Sequence, residues 1–276
     1  MPAPDPTANL HDVVDPSEHD PRVSLPPAPI DGQTAHPEPT EPLPGPKRIA
    51  VVIAHPDDAE FGCAGSVGRW IQEGHTVVYV LLTSGDQGGE DPEVAGEALA
   101  ATREAEQLAA CEILGVSETV FLRLPDGSLT ADLATRRLMV RTLRRLKPDV
   151  VVCMDPSFLW SDSGYINHPD HRAAGQVTLD AIFPGTGNPM AYPDLRAEGL
   201  PPHKVREVYL GAAKDPNVWI DITATIDLKL RALRAHGSQL RDWDPEEMMR
   251  KWAKESAAQQ PGMGEYAESF KHFKLE

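Results

Sequence analysis

From residue 48 onward, apolar positions fall into two kinds of run. Residues 48–54 (RIAVVIA) are apolar almost throughout, as expected of a strand buried on both faces rather than one. Residues 76–82 (TVVYVLL) and 149–153 (DVVVC) repeat that texture, and 119–122, 205–210 and 218–222 read as further strands. Between them, apolar residues recur every three or four positions, which predicts helices over 61–73, 95–114, 129–146, 171–182 and 224–236. Gly115 and Pro148 stop the second and third of these. Residues 154–170 read as a long loop, and the chain beyond 236 as polar and helical. Strands alternating with helices imply parallel pairing through right-handed crossovers. The expected fold is a Rossmann-like, three-layer α/β arrangement with a mostly parallel central sheet.

Residues 1–46 have a different texture. Thirteen are proline, eight are acidic, and Arg22 is the only lysine or arginine. Such a stretch buries too little apolar surface to offset the entropy of ordering it. It is expected to be an extended or disordered arm, with residues 47–276 forming a single α/β domain. Across all 276 residues, 26 lysines and arginines face 42 acidic residues, a formal charge of -16. Nucleic acid and anionic lipid both call for a basic face, so neither is an expected partner. Three cysteines without a C-x-x-C pair fit a reducing compartment. No apolar run reaches the roughly 18 residues of a membrane span, and the N-terminus lacks the pattern of a secretory leader. A cytoplasmic location is therefore expected; assembly into a homo-oligomer is left open.

The candidate chemistry lies in one tripeptide that occurs twice. His55-Pro56-Asp57 is followed by Asp58, directly after the first strand; His168-Pro169-Asp170 is followed by His171, at the start of a helix. In open α/β sheets, ligands bind beyond the carboxyl ends of the strands, where the strand order reverses. If the strands before these turns are neighbours, the turns face each other. Imidazole and carboxylate together suit zinc, and a catalytic zinc site takes three protein ligands and keeps one position open. His55, Asp58 and His171 supply three ligands and leave Asp57 and His168 free for proton work. The competing reading of the first turn is a helix N-terminus capped by Asp57 or Asp58.

Other signals carry less. Gly62, Gly65 and Gly68 follow G-x-x-G-x-x-G and begin eight residues after the strand, unlike a dinucleotide fingerprint. They read as small residues for close helix packing. Neither a Walker A sequence nor a G-x-S-x-G elbow is present. Trp160 and Trp243 are candidates to line a pocket, His236 borders the site or is structural, and the arginines of 136–145 read as a solvated helix face.

Taken together, RIAVVIA followed by AHPDD, then TSGDQG, TREAEQ, LPDG, HPDHR and AHGSQ resemble the PIG-L/LmbE-type zinc-dependent de-N-acetylases over about residues 47–240. The resemblance implies one zinc per chain on His55, Asp58 and His171, with other divalent transition metals suited to the same ligands. It also implies Asp57 as general base, His168 as oxyanion stabiliser or acid, and Arg103 holding substrate hydroxyls. Asp170 is expected to orient His168. Two departures stand out: Ala59 separates Glu60 from the paired aspartates, where many members read AHPDDE, and Tyr165 lies three residues before His168 rather than directly before the turn. The implied reaction removes acetyl from an N-acetylated amino sugar or glycoconjugate, a small-molecule substrate. The alternatives are an amidase for a larger acyl or thiol conjugate and a metal-stabilised binding protein.

Overall fold

A computed structural model describes residues 43–89, 94, 96–161 and 164–276. The proline-rich stretch lies outside the described residues except for its last four positions, of which Leu43 packs against the core. Among the described residues, seven strands form one sheet in the order β3-β2-β1-β4-β5-β7-β6. β1 (Arg48–Ile53) pairs in parallel with β2 (Thr76–Thr83) on one side and β4 (Val150–Met154) on the other. β3 (Glu118–Leu124) extends the sheet beyond β2, and β5 (Glu207–Gly211) extends it beyond β4. The strand order therefore reverses between β1 and β4, and the turns that follow these two strands emerge side by side.

The continuous apolar runs are explained by burial on both faces. Ile49, Val51 and Ile53 enter one core, and Ala50, Val52 and Ala54 the other. α2 (Ala64–Gln72), α3 (Glu97–Leu114), α7 (Ile226–Leu233) and α8 (Glu246–Ala257) cover the first face. α4 (Leu133–Leu146), α5 (Pro169–Asp180) and α6 (Pro193–Ala197) cover the second. None of the helices of the described residues is long and apolar enough to cross a membrane. Cys63, Cys111 and Cys153 are free and buried.

Several boundaries differ from expectation. The helix expected from 61 begins at Asp58 as α1 (Asp58–Gly62) and breaks at Cys63 before α2 resumes. Close packing there needs glycine: a Cβ on Gly65 would sit 2.7 Å from Ile222 Cδ1. α4 starts at Leu133 rather than 129, because Asp132 caps it by accepting from the Thr135 amide at 2.8 Å. The C-terminus is not all helical. Ala267–Lys274 forms β7, antiparallel to both β5 and β6 (Val218–Asp221). β7 also braces the helix behind the site. Its buried Glu268 accepts from the Gly65 and Ser66 amides at 3.1 and 2.7 Å, and Lys229 Nζ neutralises it at 2.6 Å.

Candidate active site

The two His-Pro-Asp turns meet above the β1–β4 boundary. The imidazole centroids of His55 and His168 are 4.9 Å apart, those of His55 and His171 5.3 Å, and those of His168 and His171 5.4 Å. One ring nitrogen from each of the three comes within 4.8 Å of the others. Asp58 joins them, with Oδ1 3.1 Å from His171 Nε2 and Oδ2 3.5 Å from His55 Nδ1. Asp58 Oδ2 also accepts from the His55 amide at 2.8 Å, closing the turn on itself. Burial opposes the charge on Asp58, but His171 and His55 outweigh it and hold its carboxyl well below the usual range. Three imidazoles clustered with a carboxylate make a candidate site for a divalent metal.

The hydrogen-bond partner of each ring tells which nitrogen is engaged by the protein. His171 Nδ1 faces Asn167 Oδ1 at 3.0 Å, and the Asn167 amide nitrogen donates to Phe158 O at 2.8 Å. His171 Nδ1 therefore carries hydrogen, and Nε2 is the nitrogen that faces Asp58 Oδ1. His55 Nε2 faces two carboxylates, Asp126 Oδ1 at 3.0 Å and Asp170 Oδ2 at 3.3 Å. Its hydrogen is on Nε2, and Nδ1 faces Asp58. His168 is the opposite case, since its Nδ1 accepts from the Asp170 backbone amide at 3.2 Å. A neutral His168 thus presents an N–H at Nε2. The two histidines leave their shared turn close together rather than apart, yet their tautomers differ.

Burial works against charge on His55, but hydrogen bonds to Asp126, Asp170 and Asp58 together push its pKa up to about 12. A cation in that position is what the surrounding carboxylates are arranged to hold. His168 shifts the other way, lowered first by burial and then by the charge of His55.

Asp57 caps α1 only with its backbone; its side chain makes no capping bond. The carboxylate is free for chemistry and lies 3.3 Å from Arg103 Nη2. Burial and the neighbouring Asp58 charge raise its pKa to about 7, against the pull of Arg103 and His236. The backbone here is left-handed, φ 92°, a region that costs most residues energy and that aspartate tolerates better than most.

Arg103 is 4% exposed and donates from Nη1 to Gly85 O at 3.0 Å and from Nη2 to Pro56 O at 2.7 Å. It grips the first turn and the loop after β2 at once. That loop can close over it only without side chains: a Cβ on Gly88 would lie 2.0 Å from Arg103 Nη1, and one on Gly85 2.3 Å. Arg103 also lines a cavity of about 440 Å³ with His55, Asp57, Asp58, His168 and Tyr165. Tyr165 is half exposed and stacks on Phe158. Trp160 sits under Lys214 and Trp243 against Phe61, and neither is part of that cavity's lining.

Asp170 takes a different place from the one expected. Its carboxylate accepts from the amides of Gly127 and Leu129 at 2.7 and 3.1 Å and meets His55, while only its backbone N–H reaches His168. The second position of α5 points beneath the turn, toward the loop after β3. Residues given no catalytic or binding role from the sequence complete the arrangement. Asp126, in the LPDG turn, is held near an ionised state: burial opposes it, but His55 and the Gln87 amide bring its pKa down to about 2. Glu60, displaced by Ala59, is fully buried against Gln107 and His236. Four of the five arginines of α4, Arg136, Arg137, Arg141 and Arg145, pair with Asp180, Asp194, Glu198 and Glu118 on a solvated face. Arg144 departs from that expectation, being fully buried and donating to the carbonyls of Gly185 and Ala191, both at 3.0 Å.

Comparison with known proteins gives the same picture. Residues 50–182 match the family model described as PIG-L, GlcNAc-PI de-N-acetylase. The chain is 36% identical to diacetylchitobiose deacetylase of Thermococcus kodakarensis, covering 77% of this chain and 76% of that protein. It is 30% identical to a probable N-acetyl-alpha-D-glucosaminyl L-malate deacetylase 2 of Bacillus anthracis, over 70% of this chain and 81% of the relative. Among solved structures, N,N'-diacetylchitobiose deacetylase of Pyrococcus horikoshii superposes with a TM-score of 0.77 at 29% identity, covering 84% of this chain and 86% of the other. With its paired His-Pro-Asp turns and its sheet order accounted for, this chain belongs to the PIG-L family of de-N-acetylases.

Proposed function

We propose that this protein is a zinc-dependent hydrolase that removes acetyl from an N-acetylated amino sugar, with His55, Asp58 and His171 as metal ligands. One observation carries the reading. A buried carboxylate that no capping bond consumes, Asp57, has a pKa raised to about 7 beside three converging imidazoles. The hydrogen-bond partners support the ligand set, because His55 Nδ1 and His171 Nε2 both face Asp58 while His168 Nδ1 is taken by the Asp170 amide. When bound, the metal's contribution is Lewis acidity, which polarises the acyl oxygen and acidifies water.

The remaining chemistry belongs to the chain. Asp57 in its ionised form accepts a proton from water as the water oxygen bonds to the acetyl carbon. His168 Nε2–H donates to the oxygen that becomes anionic in the tetrahedral intermediate. The proton held by Asp57 passes to the sugar nitrogen as the carbon–nitrogen bond breaks, and acetate and free amine leave. His168, a neutral donor, need not give up its proton. Arg103 holds Asp57 in place, and its remaining Nη1 hydrogen is available to a substrate hydroxyl. Asp126 and Asp170 hold the His55 ring through Nε2, the usual arrangement behind a metal-bound imidazole.

The test is an amine-release assay of the metal-loaded, full-length protein on N-acetylglucosamine, N,N'-diacetylchitobiose, N-acetylglucosaminyl conjugates and larger N-acyl conjugates. Release from the acetylated sugars, abolished by a chelator and restored by zinc, is expected. Release from the larger acyl conjugates alone would replace the sugar reading with an amidase.

A further inference from the structure

We propose that Gln107, locked by Glu60 and His236, is a positioning residue that sets the backbone of Asp57. The proposal rests on Asp57 being the general base. Asp57 is held at two points by one face of α3, where Arg103 and Gln107 lie one turn apart. Arg103 engages the carboxylate, and Gln107 Oε1 accepts from the Asp57 backbone N–H at 3.1 Å. The left-handed conformation of Asp57, φ 92° and ψ -25°, aims that N–H into the protein. Without an acceptor there, a buried donor would go unpaired, and the turn would relax toward an ordinary conformation.

A glutamine amide can present either end, so an acceptor at Asp57 has to be specified. Glu60 specifies it. Both of its carboxylate oxygens lie within reach of Gln107 Nε2, at 3.1 and 3.2 Å. A carboxylate only accepts, so the amide nitrogen must face Glu60 and the amide oxygen must face Asp57. Glu60 is fixed in turn by His236 Nε2 at 3.1 Å. Gln107, Glu60 and His236 are all fully buried, so water does not compete for these bonds. The chain of donors runs from the AHGSQ segment through α1 and α3 to the catalytic turn, and none of its three members touches the cavity.

The experiment uses full-length, metal-loaded protein with metal content measured for every variant. Gln107→Met keeps the bulk of the side chain and removes the acceptor. It is expected to lower kcat by about 10- to 100-fold, the scale of a small misplacement of a catalytic group, with KM and metal content within twofold of the native values. Gln107→Glu places two carboxylates side by side and is expected to lose activity as well. Adding Glu60→Gln to it restores every bond with the polarity reversed: the new amide donates to position 107 and accepts from His236. That double variant is expected to recover at least tenfold in kcat over Gln107→Glu. Native kcat in Gln107→Met, or no recovery in the double variant, overturns the proposal. Asp57→Asn serves as the control. If it turns over normally, the general-base reading fails; if it is inactive while Gln107→Met is normal, only the positioning role fails.

Discussion

The Arg103 guanidinium lies 3.3 Å from the Asp57 carboxylate while also donating to Pro56 O, so one buried cation engages both the side chain and the backbone of the first His-Pro-Asp turn. Its positive charge lowers the pKa of Asp57, against burial and Asp58, which raise it. Removing the charge must therefore move that pKa upward. Arg103→Met is expected to shift the acid limb of the kcat/KM pH profile to higher pH. Arg103→Lys keeps the charge, loses the planar fork, and is expected to lower kcat with a smaller shift. Profiles with coincident acid limbs in all three proteins would remove Arg103 from this role.

Asp57 also makes a stability prediction for the metal-free protein. Its folded pKa, about 7, lies above the usual 3.8. Between those values the folded state holds a proton that the unfolded state has released, so stability falls as pH rises and the loss is complete above about 7. Asparagine carries no such penalty. The Tm of Asp57→Asn relative to the native chain is expected to be similar near pH 4 and clearly higher at pH 8. A difference independent of pH would show that Asp57 is not penalised by burial.

His168 and His171 should separate in their effects despite sharing one turn. The Asp170 amide holds His168 Nδ1 as an acceptor, whereas Asn167 Oδ1 holds His171 Nδ1 as a donor. His168→Ala is expected to retain metal and lose about 10²–10³ in kcat, the scale of an oxyanion donor. His171→Ala is expected to lose metal affinity itself. Elemental analysis of both variants decides the point; equal metal loss would make His168 a ligand.

The sheet centre was legible because residues 48–54, 76–82 and 149–153 are buried on both faces, which leaves no polar positions to obscure the pattern. β7 was not, because AESFKHFK mixes charged and apolar positions in a strand that is only partly buried. The start of α4 was also misplaced. Residues 129–132 look periodic, yet the Leu129 amide is claimed by Asp170 from across the site, a contact that local spacing does not encode.

At the site, the residues of the two His-Pro-Asp turns could be assigned roles from the sequence, whereas Glu60, Gln107 and His236, although in or beside quoted motifs, could not be linked to one another. His55, Asp57, Asp58, His168 and His171 lie in two short repeats beside strands. Glu60, Gln107 and His236 come from three distant segments, and only folding joins them. One signal was present: Arg103 and Gln107 are polar residues four apart on the face of α3 that also carries buried Ala110, Cys111 and Leu114. A polar pair in a buried helix stripe has a partner more often than not.

Residues 1–42 are expected to be dispensable for folding, because the described core contacts begin at Leu43 and the first strand at Arg48. A chain starting at Leu43 should unfold within a few degrees of the full-length protein and keep its kcat. A large drop in Tm, or a change in mass by light scattering, would show that the N-terminal segment is part of the folded assembly.

The most direct measurement is acetate release from N,N'-diacetylchitobiose by the native protein and by Asp57→Asn, at equal metal content. Native protein is expected to release acetate and free amine in equal amounts. Asp57→Asn, nearly isosteric but unable to accept a proton, is expected to be slower by about 10²–10⁴. Equal rates in the two proteins, or no acetate from native protein that holds its metal, would contradict a de-N-acetylase working through Asp57.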